Sequence, residues 1–395
     1  MARYKLNKTN KDNELFWYLD SKKQKRWTYR HRYYDGFGKR KEKSASGFES
    51  ENVAYRELLR VKQEILDGNV SFVENENLTV AQWAEKWLES QQDQWKITTV
   101  LQRQKIIEQQ IKPLLGNFKL SKLDKITYKQ AYIDELLKKY SVSTVKLYHR
   151  IFKICVNGAV DQEIITRNRF TKITIKDNGD KIHESSGKDV RENVYTPDEL
   201  SFFLKCCKEQ ENITVQTIFI TLAATGMRRG ELAALHWRNI DFENNTLSIG
   251  RTRDRHGERA TKTSNSIRTL EMNPSLARAL EKYQKWCKQY RLAHGLKTKD
   301  DDYVFISYQT CEAISDTFIS ASLSRILKRN NLKNITPHGF RHTFATILIN
   351  EGVPVTTIAK LLGNTAKMVL EVYSHSFKEL EERATKVLAK VVNFD

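Results

Sequence analysis

PHGFRHTFATILINEG (337–352) and LLGNTAKMVLEVYSH (361–375) are the two halves of the stretch around which this chain is organised. Thr336-Pro337 opens a helix that continues through GFRHTFATILI. His338 and Arg341 are three residues apart, so they share a face at the helix start. That end carries free N–H donors and the positive end of the helix dipole, which suits a phosphate. Gly352-Val353-Pro354 breaks the helix, Val355 to Leu362 forms a short one, and Gly363-Asn364 ends it. Ala366 to about Ser374 forms another, with Tyr373 near its end. A His, an Arg and a Tyr so arranged are not needed to build a core. They suit the holding of a phosphodiester and an attack on it. His342 points elsewhere and reads as a structural, supporting residue.

A second segment adds charge. In TGMRRGELAALHW (225–237), Gly226 ends one helix, and Glu231, Leu232 and Leu235 begin the next. Arg228 and Arg229 lie at the junction, where an Arg can hold two phosphate oxygens. The plainer reading is an Arg that pairs with Glu231. Between Trp237 and Lys282 the chain is rich in Arg but has one lysine, Lys262, in or beside a β-hairpin. Lys can lose a proton where Arg cannot, so a lone turn lysine suits a general acid. In isolation a solvated turn residue is the plainer reading.

The bulk numbers agree with a polyanionic partner. Over 395 residues the formal net charge is +19, which points first to nucleic acid. Five cysteines show no CxxC pairing and no His at metal spacing, so they read as reduced core residues of a cytosolic protein. No run of eighteen apolar residues and no signal-type start is present, which argues against a membrane protein.

Composition divides the chain into modules. Residues 1–66 predict a small three-stranded sheet, from LFWYL (15–19), RWTYRHRYY (26–34) and the run KRKEKSASG, plus a helix capped by Ser50 and reaching about Leu66. Val53, Leu58, Val61 and Ile65 are its expected inner face. This segment holds 17 Lys and Arg against 9 Asp and Glu. A sheet carrying Arg30, Arg32, Lys39, Arg40 and Lys41 can enter a groove or lie along phosphates; a solvated basic sheet edge is the plainer reading. Residues 67–77 carry no helical period and read as a linker. Residues 78–175 predict four helices, near 79–88, 97–111 (ending before Pro113), 127–140 and 142–160. Residues 176–193 are rich in turn formers and read as a second linker. Residues 194–395 predict a mainly helical domain with a small β-sheet and a C-terminal tail helix. The fold class is therefore multidomain α+β.

The order Arg, hairpin Lys, HxxR, LLGx and then Tyr nine residues after that x resembles the tyrosine recombinase (phage integrase) family, and the resemblance runs over the whole chain. It implies an arm-type DNA-binding module (1–66), a helical core-binding, SAM-like domain (78–175) and a catalytic domain (194–395). Against the pattern TGxRxGEL, Arg228 is the first catalytic Arg, Arg229 is not, and Glu231 is the acidic support. Lys262 matches the hairpin lysine, His338 and Arg341 the HxxR pair, and Tyr373 the nucleophile. One position departs: Asn364 stands where the family most often has His or Trp. Asn can donate a hydrogen bond but cannot carry a proton, so it is expected to act as a donor to phosphate.

The resemblance further implies a site-specific recombinase of a mobile element that needs no metal and no cofactor. Its partners would be double-stranded DNA with core-type and arm-type attachment sites, three further copies in a tetramer, a host DNA-bending protein and an excisionase. Its place would be the cytoplasm of a bacterial host, on the nucleoid when bound. Two other readings stand beside this one: a DNA-binding regulator with a dead catalytic fold, and a type IB topoisomerase-like relaxing enzyme.

Overall fold

The computed structural model describes residues 4–36, 38–176, 190–261, 264–374, 376, 377 and 385. They fall into two compact units, 1–186 and 187–395.

The first unit opens with an antiparallel sheet of β1 (Asn7–Lys8), β2 (Leu15–Leu19), β3 (Lys25–Tyr34) and β4 (Arg40–Phe48), in that spatial order. The sheet thus has four strands where three were expected. The additional β1 is two residues long, too short for alternation to reveal it. Strand period sorts β3 cleanly: Tyr29 and Tyr33 are buried against helix α1 (Glu51–Leu66), while Arg30, Arg32 and Tyr34 face out. Ser50 caps α1 through its side chain, accepting from Val53 N at 3.3 Å. Its inner face is Ala54, Leu58 and Val61; Val53 is 47% exposed, because a first-turn residue one position earlier points outward.

The stretch 67–77, read as a linker, holds a short helix, α2 (Val70–Asn75). Its Val73 is buried with Leu15, Tyr29 and Leu58 in the core of the sheet module. One buried apolar residue among polar ones gives no period, which is why the sequence does not show it.

Four helical rods follow. The first is α3 (Val80–Gln91), opened by a capping box in which Thr79 and Gln82 each accept the other's N–H. The second is α4 (Ile97–Ile106), which runs through a π-turn at Ile107–Ile111 into α5 (Lys112–Leu115). This rod continues past Pro113, beyond its expected end. The wide turn just before the proline relaxes the ordinary hydrogen-bond ladder there. The third is α6 (Lys125–Tyr128), a π-turn at Lys129–Asp134 and α7 (Glu135–Leu137). The fourth is α8 (Val142–Asp161), whose Val145, Ile151, Phe152, Cys155, Val156 and Ala159 are buried as their spacing predicts. The large aromatic side chains of these rods are core: Trp83, Tyr128 and Tyr132 are fully buried.

The second unit begins with a 3₁₀ turn at Val190–Asn193, followed by α9 (Pro197–Gln210), α10 (Ile213–Thr225) and α11 (Arg229–Ala233). The second expected linker is therefore ordered at its end: Asn193 Oδ1 accepts from Thr336 N at 2.8 Å, and Asn193 Nδ2 donates to Thr336 Oγ1 at 2.9 Å. A three-stranded sheet joins β5 (Ile240–Asp241), β6 (Thr246–Ile249) and β9 (Arg268–Glu271). Between β6 and β9 a separate hairpin projects, β7 (Arg251–Asp254) and β8 (Gly257–Ala260). The long α12 (Pro274–Ala293) and α13 (Asp316–Arg329) complete the main core, built on Phe203, Phe219, Leu222, Tyr283 and Phe340. The last helices are α14 (Pro337–Asn350), α15 (Val355–Leu362) and α16 (Ala366–Val372). They form a smaller core of Ala345, Ile349, Ile358, Leu362 and Val369. The expected tail helix lies outside the described residues.

Candidate active site

Two helix C-termini and one helix N-terminus converge here. Helix α10 ends at Gly226 in the left-handed conformation, φ 58°, and α15 ends at Gly363, φ 64°. Such ends turn backbone carbonyls outward without partners. Arg341, from the first turns of α14, takes two of them: Nη1 donates to Gly226 O at 3.0 Å and Nη2 to Leu362 O at 2.6 Å. The side chain is only 2% exposed, yet it is charge-matched, because helix C-termini carry the negative end of the dipole. Burial first, then the nearby charge of Arg228, lowers its pKa to about 9, so it stays cationic at neutral pH. A guanidinium has five N–H donors, so this fork keeps donors for an anion.

Arg228 stands in extended backbone at the start of α11, φ −73° and ψ 149°. Its N–H donates to Glu231 Oε2 at 3.0 Å and its Nη1 to Glu231 Oε1 at 2.7 Å. So the plainer reading, pairing with Glu231, is observed, and the guanidinium has a further contact. Its Nη2 donates to Asn364 Oδ1 at 2.9 Å. Because the Asn364 carbonyl is taken by Arg228, its amide NH₂ is turned away as a donor. Arg229 leaves this cluster and donates to Ser320 Oγ at 2.8 Å.

Glu231 is buried between two arginines. Arg268 Nη2 donates to its Oε2 at 2.9 Å. Burial pushes the carboxyl pKa up, but Arg268 and then Arg228 outweigh it and leave the group below the ordinary carboxylate range. Arg268 also donates to Leu361 O at 2.7 Å and Ser266 O at 3.2 Å. Arg268 is one of the arginines between Trp237 and Lys282 and has no place in the site expected from the sequence. The available signal was its register: in β9 the inward positions are Arg268 and Leu270, and an inward Arg requires a buried acid.

His338 and His342 stand one turn apart on α14, with rings edge-to-face at 4.7 Å. His338 faces solvent on one side; partial removal from water on the other, then Arg341 and Arg228, hold its pKa below the ordinary value. Tyr373 follows α16 and is 3% exposed. Burial raises its phenol to about 12, with Arg341 acting in the opposite sense. Its hydroxyl lies 2.8 Å from His342 Nδ1. Burial, then His338 and Arg341, lower the His342 imidazole to about 4.

Thus Arg228, Glu231, Asn364 and Arg268 share one hydrogen-bonded network, Arg341 is held beside it by Gly226 O and Leu362 O, and His338, His342 and Tyr373 lie on the adjoining turns. Lys262 lies outside the described residues. The hairpin before it is firmly held: Glu258 accepts from Tyr303 Oη at 2.6 Å, lies 3.0 Å from His236 Nε2 and pairs with Arg251.

The basic sheet residues divide. Arg30, Arg32 and Arg40 are exposed on the outer face, aligned by the pairs Arg30↔Ser44, Arg32↔Glu42 and Tyr34↔Arg40. Lys39 is exposed in the turn that joins β3 to β4. Lys41 lies across from Tyr33 on the inner face, where it pairs with Glu74 at 2.6 Å and Asp35 at 3.3 Å.

Comparison with known proteins agrees with this architecture. Residues 193–379 match the phage integrase family, 79–137 the phage integrase N-terminal SAM-like domain and 7–65 the arm DNA-binding domain. A tyrosine recombinase XerC-like protein of Caldanaerobacter subterraneus subsp. tengcongensis is 26% identical over 279 residues, 66% of this chain and 69% of the relative. The integrase of Staphylococcus phage L54a is 25% identical over 366 residues, 85% of this chain and all of the relative (100%). Among solved structures, the Tn1549 transposon integrase in complex with a circular intermediate DNA aligns with a TM-score of 0.65 at 22% identity, over 78% of this chain and 99% of that one. A lambda integrase dimer bound to a COC′ core site aligns with a TM-score of 0.56 at 16% identity, over 93% of each chain; at these identities the structural likeness speaks to the fold. With three successive modules matched in order, the chain belongs to the tyrosine recombinase (phage integrase) family.

Proposed function

We propose that this chain is the integrase of a mobile genetic element, cutting and rejoining DNA through a 3′-phosphotyrosyl intermediate. The observation that carries the reading is the cradle of Arg228 and Arg341, two cationic forks fixed by carboxylate, amide and carbonyl partners before any DNA is bound. Held in this way, they stabilise charge that builds on the non-bridging oxygens of a scissile phosphate. His338 adds a donor at the helix start, and Asn364 adds one from its free amide. The Tyr373 oxygen attacks phosphorus and the 5′-oxygen departs, taking a proton from Lys262. The bond energy is kept in the phosphotyrosine, so rejoining needs no ATP. With two guanidiniums in place, the charge does not call for a metal ion.

The partner is duplex DNA: core-type sites for the helical and catalytic domains, arm-type sites for the basic outer face of the sheet. Two strand exchanges on two duplexes call for four copies, and closed symmetry favours a ring of them. A host DNA-bending protein and an excisionase would set direction, and the reaction would take place on the nucleoid of a bacterial cytoplasm. Among the described residues no helix is long and apolar enough to cross a membrane.

The test is a nicked suicide duplex built on the DNA flanking the gene. Wild-type protein is expected to give a covalent adduct on a denaturing gel, with EDTA present. Tyr373→Phe should shift the same duplex in a native gel and give no adduct. An adduct with Tyr373→Phe would remove the nucleophile assignment, and no wild-type adduct would favour a DNA-binding regulator.

A further inference from the structure

The reacting oxygen of the proposed mechanism has a neighbour that the motif does not assign. We propose that His342 is a catalytic residue of this chain, whose Nδ1 holds the Tyr373 hydroxyl and takes its proton as the phenolic oxygen bonds to phosphorus. The inference rests on the phosphotyrosyl reading above.

The geometry carries it. His342 Nδ1 is 2.8 Å from Tyr373 Oη, and the two rings meet edge-on with centroids 5.6 Å apart. Candidate bases must stand within about 3.2 Å of the proton they remove, and this one does so without DNA. His342 follows Arg341 directly, so the turn of α14 that fixes the phosphate-holding arginine also fixes the base. Both groups are neutral at pH 7. The imidazole nitrogen is the stronger base and the phenol the stronger acid, so the O–H donates and Nδ1 accepts. His338 meets the His342 ring edge-on and is exposed, which leaves it for phosphate contact.

Among the described residues the charged and titratable surroundings are few. On α14 they are His338 and Arg341. From α16 come the exposed Lys367 and Glu371, from the residue after it Tyr373, and from α15 the exposed Lys360. Helix α10 has no ionisable side chain, Arg325, Lys328 and Arg329 of α13 are exposed, and Glu192 of the 190–193 turn is exposed.

The step balances. The Oη–P bond forms and the P–O5′ bond breaks. The phenolic proton passes to Nδ1, and O5′ receives a separate proton from Lys262. Rejoining reverses both transfers. A free phenol would not give its proton to this imidazole. An aryl oxygen that is bonding to phosphorus is far more acidic, so transfer accompanies bond formation. The negative charge that DNA brings also favours the imidazolium.

The experiment compares wild type, His342→Ala and His342→Gln in the full chain on the nicked duplex, with single-turnover adduct formation read across pH. Native-gel binding of the same duplex serves as the folding control. Both variants are expected to bind as wild type does and to form adduct about 100-fold more slowly. The wild-type rate should fall as pH is lowered and the imidazole charges, and that acid limb should vanish in His342→Gln. Added imidazole should restore part of the His342→Ala rate. A wild-type rate in His342→Gln, which can accept the hydrogen bond but not the proton, would reduce His342 to positioning and overturn the proposal. So would an acid limb unchanged in that variant, or a slow His342→Ala that imidazole does not rescue. If either variant fails to bind the duplex, the other variant decides. Absence of any wild-type adduct would overturn the phosphotyrosyl reading and this inference with it.

Discussion

Asn364 is the residue at which this chain departs from its family's usual choice. Its carbonyl accepts from Arg228, so its amide is left as a donor. Asn364→Ala removes both contacts and should slow adduct formation by about 10-fold, the size of one hydrogen bond to a charged group. Asn364→His should recover it; single-turnover rates equal to wild type in Asn364→Ala would show that the position adds nothing to the transition state. Glu231 is the residue on which stability turns. Arg268 has nowhere else to place its charge, being 4% exposed at the side chain, so Glu231→Gln should cost about 3–5 kcal/mol in a denaturant titration. The sign with pH follows from its lowered pKa: the stabilisation is full above the ordinary value of about 4.5 and is lost as pH falls through the lower folded value. Glu231→Gln should therefore flatten the acid end of the wild-type stability curve. Arg228, His338, Arg341 and Tyr373 stood out in the sequence as candidates, and the fold brings them to adjoining turns. Arg268 was not legible as a member of the site, and His342, read as a supporting residue that points elsewhere, instead meets Tyr373; each owes its place to a partner tens of residues away, Glu231, 37 residues before Arg268, and Tyr373, 31 after His342.

Helix ends are the elements that matter most. Gly226 closes α10 at φ 58°, and a Cβ there would stand 2.6 Å from Phe344 Cδ1. Gly226→Ala should destabilise the second unit by about 2–4 kcal/mol, from left-handed strain and the displaced ring together. It should also lower adduct formation in the folded fraction, since Gly226 O holds Arg341. Equal melting temperatures for this variant and wild type would refute the account. Caps were the best-read elements of the sequence: the helices of Ser50 and of Thr336-Pro337 begin as their residues require. The π-turns at 107–111 and 129–134 were unreadable, because they reflect how a continuous rod is accommodated by its neighbours and leave the apolar period almost unchanged. Helix α2 was unreadable for the opposite reason, one buried valine being too little pattern.

At the scale of the whole chain, the net charge of +19 is a general attraction to DNA that the outer face of the first sheet focuses. Arg30→Ala and Arg32→Ala should each weaken binding of an arm-type duplex and reduce the slope of log K against log salt by about 1. Lys41→Ala should leave that slope nearly unchanged, because its ammonium is already paired with Glu74 and Asp35. An equal loss of slope for all three would contradict the division of faces. Composition showed that this module is basic, while only strand register showed which of its cations face outward.

The burial of Tyr373 has a consequence for chemical labelling. Of sixteen tyrosines in the chain, Tyr34 is 67% exposed and Tyr4 and Tyr308 each 44%, against 3% for Tyr373. Nitrating and iodinating reagents find the phenolate form of accessible rings, and Tyr373 is both sequestered and pushed away from ionisation. Surface modification would therefore mark the chain elsewhere, and the proposed nucleophile is among the tyrosines least visible to small electrophiles in solution.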